Sequence, residues 1–174
     1  MTERPIQRHV IVEVIKSAGE IADRRLFHCF VFSAQQLSGV DSSYDFDLLG
    51  TERFVPVSGE LSFDLWANEK AGNFAETLNG SLPFKTGPNF ESTVSRMEQI
   101  QVLNPRVLEK LVELMNEGKL VSFTKYLALR KLLPEASDAT IHSATKDQTG
   151  LTQEDVIEFD EIRISLQETV KTES

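Results

Sequence analysis

The window 104–118, Asn-Pro-Arg-Val-Leu-Glu-Lys-Leu-Val-Glu-Leu-Met-Asn-Glu-Gly, carries a helix start, a helix body and a helix stop. The Asn104 side chain can accept from an orphan backbone N–H at the first turn. Pro105 falls at the first helical position, where its missing N–H costs nothing. Val107, Leu108, Leu111, Val112, Leu114 and Met115 form a broad apolar stripe, and Gly118 can take the left-handed conformation past the end. A second helix is predicted over 122–133: Phe123, Tyr126, Leu127, Leu129, Arg130, Leu132 and Leu133 supply its inward face, and Pro134 stops it. The link between the two is short enough for an αα-hairpin or a bent continuous helix.

Ahead of this pair the sequence reads as β-structure. Residues 9–15 are dense in β-branched side chains, with Val10, Val12 and Val14 on one face and Ile11, Glu13 and Ile15 on the other. Residues 26–32 make a second apolar run, so the two resemble a hairpin with a long loop. Shorter alternating stretches follow at 44–48 and 60–66, an edge piece at 51–57 limited by Pro56, and an imperfect strand at 91–103. Residues 67–88 are broken by Gly72, Gly80, Pro83, Gly87 and Pro88 and read as loop, with a short helical turn near 73–78. After the helices, residues 135–155 are polar. Alternation returns at 156–166, where Ile157 and Phe159 share one face and Ile162 and Ile164 the other, a phase change that predicts a β-bulge. The reading is an α+β fold: a β-rich N-terminal sheet, helical segments over 104–133 packed on it, and a C-terminal strand after a polar linker. Its divisions are a single domain over 1–133, a linker or long loop over 134–155, a strand over 156–167 joining this sheet or a neighbour's, and a frayed tail over 168–174.

Composition limits the function classes. The formal net charge of -9 and pI of about 4.9 disfavour nucleic acid as a partner, because a phosphate backbone requires Lys and Arg to displace its counterions. They also disfavour docking on anionic membranes. No apolar run approaches the ~20 residues needed to cross a bilayer, and residues 1–5 show no secretory signal, so a cytoplasmic protein without membrane insertion is expected. The single cysteine, Cys29, rules out an internal disulfide and reads as a buried thiol in a strand.

The residue pattern advertises no chemistry. Ser122–Lys125 and Ser143–Lys146 match a Ser-x-x-Lys spacing, but the companion Ser-Asp-Asn and Lys-Thr-Gly motifs are missing; Ser122 reads instead as the cap of the second helix. Asp45 and Asp47 read as a solvated strand face. His9, His28 and His142 are isolated from one another, and His28 and Cys29 point to opposite sides of a strand. Trp66 with Phe63, Phe74 and Phe84 could form a binding patch, though core is the plainer reading. No catalytic residue, cofactor or metal site is predicted.

The order of segments resembles the small sheath subunit of type VI secretion systems, a cousin of contractile phage-tail sheaths. Residues 8–14 are similar to that family's first strand, 26–32 ending at Leu37-Ser38-Gly39 to its second, and 52–57 to its Arg-Phe-Val segment. Val102-Leu103-Asn104-Pro105 and 127–133 are similar to its Pro-initiated helix and Leu-x-x-Arg-x-x-Leu helix. The family's Leu-Pro, its Asp before Ser-Gly and its Asp-Asp-Phe are absent here. The resemblance implies a structural subunit that pairs with copies of itself or with a larger sheath-like protein by exchanging strands. With Val10, Val12 and Val14 at one end and Ile157, Phe159, Ile162 and Ile164 at the other as interaction residues, a non-enzymatic assembly protein is expected. A small β-rich module binding a peptide or small ligand at 67–88 is the alternative.

Overall fold

The computed structural model describes residues 3–40, 43–48, 55–75, 83–97 and 99–173. Among them run eight helices: α1 (Glu3–Ala18), α2 (Arg24–Ser38), α3 (Gly59–Lys70), α4 (Phe90–Ser95), α5 (Pro105–Asn116), α6 (Leu120–Leu132), α7 (Asp138–Thr149) and α8 (Gln153–Glu173). The strands are two-residue pieces, β1 (Glu20–Ile21) and β2 (Phe84–Lys85), paired antiparallel with Ile21 opposite Phe84. The β-rich N-terminal sheet predicted from the sequence is therefore replaced by helices, and the fold is mostly α.

The reason is burial on more than one side. The run at 26–32 lies in α2, which starts at Asp23, whose side chain accepts from Leu26 N at 2.8 Å, and ends at Gly39 with φ 68°. Ten of its residues are buried, including Phe27, Phe30, Val31 and Phe32, because α1, α5, α6 and α8 all pack around it. A helix enclosed on all sides carries a continuous apolar run, which periodicity cannot tell from a buried strand. The segment 9–15 belongs to α1, where Val10, Ile11, Val14 and Ile15 are buried; their spacing of one, three and four is helical. At 60–66, Leu61 and Leu65 are buried one turn apart on α3 while Phe63 faces out.

The later half is corrected in the same way. The predicted linker at 134–155 holds α7, capped by Ser137 and closed by Gly150 at φ 71°. The predicted C-terminal strand and tail form α8, with Val156, Phe159 and Leu166 inward. The end of α8 is tied to the start of α5: Asn104 Nδ2 donates to Glu173 Oε2 at 2.8 Å, and Arg106 lies 3.4 Å from the same carboxylate. The segment 91–103 forms α4 followed by a strap. Glu13 on α1 holds that strap by accepting from the N–H groups of Val102 and Leu103 at 3.1 Å.

The pair of helices read from the sequence does form. Asn104 caps α5 through Arg106 N at 2.9 Å, Pro105 opens it, and Gly118 takes φ 73°. An αα-hairpin is the form of the connection, and α6 begins at Leu120, which places Ser122 inside it rather than at its cap.

Two polar contacts pin the helices. His28 Nδ1 accepts from Ser58 N at 3.1 Å, so the ring proton sits on Nε2, 3.1 Å from Ser62 Oγ. Asp160 on α8 collects Tyr126 and Arg130 from α6, His142 from α7 and Arg163 from its own helix. Burial pushes the Asp160 carboxyl up, but hydrogen bonds from Tyr126, His142 and Arg130 outweigh it and leave the group below its usual range.

Three outcomes are expected. Burial, helped by the Arg24 charge, holds His28 down at about 4, against about 6.5 in an unfolded chain. The unfolded state therefore binds the extra proton between these values. The His28 contribution is complete above the upper value and is lost as pH falls through the window; urea titrations from neutral to mildly acid pH check this, and His28→Gln flattens that limb. Asp160→Ala removes the carboxylate shared by Arg130 and Arg163, leaving Arg130 only the exposed Asp138 and Arg163 no carboxylate among the described residues, and lowers the free energy of unfolding by about 3 kcal/mol. Lys110→Ala, which removes the exposed pair with Glu113, costs under about 0.5 kcal/mol in the same assay.

Candidate functional site

Six residues of α1 and α3 build one side of an open groove: Arg8 and Val12 one turn apart on α1, and Phe63, Asp64, Ala67 and Asn68 on α3. Thr93, Arg96 and Met97, from α4 and the residues after it, build the other side. The hollow measures about 500 Å³. A second hollow of about 380 Å³ adjoins it, sharing Val12 and Met97, and runs under the strap past Lys16 and Gln101.

The far wall is fixed by close backbone packing. At Gly87 a Cβ would meet the Gly72 carbonyl oxygen and the Phe74 backbone at 2.6 Å, so only glycine lets these turns approach. Gly87 N donates to Asn73 O at 2.8 Å, and Asn89 Nδ2 donates to Ala71 O at 2.9 Å, which binds the turn before α4 to the end of α3. Along the floor runs a line of hydrogen bonds: Thr93 Oγ1 donates to Asn73 Oδ1 at 2.7 Å, Asn73 Nδ2 to Asn68 Oδ1 at 2.9 Å, and Asn68 Nδ2 to Asp64 O at 2.8 Å. The Asp64 carboxylate is engaged by the Tyr44 hydroxyl at 2.7 Å. Glu13 is engaged by the strap, and burial, the largest influence on it, raises its carboxyl above the usual range.

The cations of the two hollows are exposed, whereas Asp64 and Glu13 are partly buried. Arg8, Lys16 and Arg96 have no ion-pair partner among the described residues. At the rim, Phe63 is 56% exposed and its ring lies 5.8 Å from that of Trp66, itself 48% exposed. Such a pair on solvent is apolar area that nothing among the described residues covers.

Of the interaction residues read from the sequence, Val12 alone lines this groove. Val10, Val14 and Phe159 are core, and Ile162 is partly buried against it. Ile157 and Ile164 are exposed, seven residues apart on one face of α8. The aromatic patch divides: Phe74 and Phe84 pack with Phe27 in the core, at 6.1 and 5.2 Å, while Phe63 and Trp66 stay outside. The alternative location at 67–88 meets the groove through Ala67, Asn68, Ala71 and Asn73.

Arg8, Thr93 and Arg96 were not legible, because reading α1 and α4 as strands hid which of their side chains share a face. The Asp160 cluster was missed for the same reason, although Tyr126 and Arg130 stand one helical turn apart. The histidines lie apart as read: His28 against α3, His142 against Asp160, and His9 at the second hollow. Among the described residues no cluster of His, Cys, Asp and Glu suits a metal, and no helix is long and apolar enough to cross a membrane.

No family model, no curated protein and no solved structure matches this chain.

Cys29 is buried in α2 rather than in a strand, and burial pushes its thiol up to about 12. A disulfide reagent at mildly alkaline pH is expected to react with it only as fast as the protein opens, and at once in denaturant. Immediate reaction with the native protein would contradict this placement.

Proposed function

We propose that this protein is a non-enzymatic interaction subunit that holds a segment of a partner protein in the groove between α1, α3 and α4. The observation that carries the reading is a preformed, largely apolar hollow lined by the exposed ring of Phe63, beside which Trp66 also stands exposed. Pockets of this kind are the usual places for recognition, and half-exposed aromatic rings are the residue types that anchor partners. The ionisable groups in the groove are guanidiniums and an ammonium, the buried His9 beside Glu13, and carboxylates engaged by Tyr44 and by the strap.

The assembly role suggested by the sheath resemblance is kept only as protein-to-protein contact, to a second copy or to a larger sheath-like partner. Strand exchange is dropped, because the segments 9–15 and 156–167 that were to supply the strands are helical. Helical structure also leaves no row of unpaired backbone groups for β-addition at those ends.

A random peptide library displayed on phage, selected against the wild-type protein and against Ala67→Arg, tests the reading. Enriched sequences are expected on the wild type and not on the blocked variant. Each such peptide should also change the emission of Trp66, the sole tryptophan. Recovery of nothing, or equal recovery on both proteins with Trp66 silent, would overturn it.

A further inference from the structure

The chain is acidic, yet the surface of its groove is not. Arg8 and Arg96 line the first hollow and Lys16 the second, all three without an ion-pair partner among the described residues. Two carboxylates share these hollows, Asp64 and Glu13; both are partly buried and accept hydrogen bonds from neutral groups, the Tyr44 hydroxyl and the strap N–H groups, which do not cancel their charge. Glu60 lies past Phe63, outside both hollows. Three exposed cations against two partly buried carboxylates give the hollows a small positive surplus, which complements negative charge.

Its dimensions favour a chain over a compact ion. The two hollows meet at Val12 and Met97 and extend along α1 from Arg8 to Lys16. At about 1.5 Å per helical residue that is roughly 12 Å. An extended peptide, at about 3.3 Å per residue, covers it with about four residues. Between the basic ends lies an apolar stretch, Val12, Ala67, Met97 and the Phe63 ring, which an aliphatic or aromatic side chain can fill. Exposed Gln99 and Gln101 flank the second hollow and can meet the peptide backbone.

We infer that the occupant of the groove is an acidic peptide segment of a partner protein, extended along α1, with carboxylates on Arg8 and Arg96 and an apolar side chain between them. This rests on the groove-binding reading above. The overall charge of -9 opposes such a partner at a distance, but at physiological salt that repulsion is screened beyond about 8 Å. Contact pairs to guanidinium are screened much less and decide the preference.

The test is the composition of what the groove selects. From the same phage-displayed random library, the wild type is expected to enrich sequences in which Asp or Glu flank an aliphatic or aromatic residue. The double variant Arg8→Glu/Arg96→Glu is expected to enrich Lys and Arg at those places instead. Both arginines are exposed and have no ion-pair partner among the described residues, so the variant should keep the wild-type circular dichroism and melting temperature. For a wild-type peptide, replacing its Glu residues by Gln should weaken binding at least about tenfold, a loss of about 1.4 kcal/mol, and raising salt should weaken it further. Peptides without charge bias, or a bias that charge reversal leaves unchanged, would overturn the acidic assignment while groove binding stands. Recovery of no peptide at all would overturn both.

Discussion

The enclosure of α2 is the constraint on which the rest depends. Its apolar side chains leave water on every side, and burial of each large one is worth about 1.5–3 kcal/mol. A helix sunk this deeply cannot carry polar groups without partners, since an unpaired buried group costs about 1–3 kcal/mol. Each buried polar residue of α2 therefore fixes the position of a neighbour. Ser33 Oγ meets Thr124 Oγ1 on α6 at 2.9 Å, and His28 receives the start of α3. The Gln35 amide pairs in both directions with the Tyr44 backbone at 3.1 Å. Tyr44 then passes the constraint outward: its hydroxyl contacts Asp64 on α3 at 2.7 Å and the Gln7 carbonyl of α1 at 3.4 Å. The two helices that flank the groove are thus set by contacts that begin in the core.

The molecule holds two polar clusters of opposite design. Around Asp160 every member is spent on another: the Tyr126 hydroxyl donates to Asp160 and accepts from Arg130 and Arg163 at 2.8 and 2.9 Å, and Gln153 sits 3.0 Å from the free nitrogen of His142. A closed network of this kind joins α6, α7 and α8 and is satisfied within itself. In the groove the amides and carboxylates are satisfied along the floor, while the cations and the Phe63–Trp66 pair remain open. Satisfied floors hold shape and open rims bind, which is why the groove and not the more conspicuous ionic cluster is read as the functional surface.

Legibility differed by element for physical reasons. The signals at 104–118 are local: an Asn side chain reaching Arg106 N, a proline lacking an N–H, a glycine at positive φ. Such signals work without knowledge of neighbours. At 9–15 and 26–32 the apolar residues follow from how many neighbours surround the segment. β-branched residues in α1 and an unbroken apolar run in α2 carry the same pattern as strands. The polar 134–155 stretch failed in the other direction. There α7 turns only Ile141 and Thr145 fully inward, too thin a stripe to mark a helix by its apolar content, although Ser137 and Gly150 stand at its ends as cap and stop.

Taken alone, the sequence determined the α5–α6 hairpin, a single buried thiol, an acidic surface, and the lack of any apolar helix fit to span a bilayer. It did so because caps, stops, charge and composition are properties of single residues or of one turn. Tertiary structure decided that the N-terminal half is helical, that Asp160 gathers side chains from three helices, and that Arg8 and Arg96 come to line one hollow. Those outcomes depend on which faces are enclosed and on residues about 90 positions apart, such as Glu13 and Val102, meeting in space, and no local pattern encodes such a meeting.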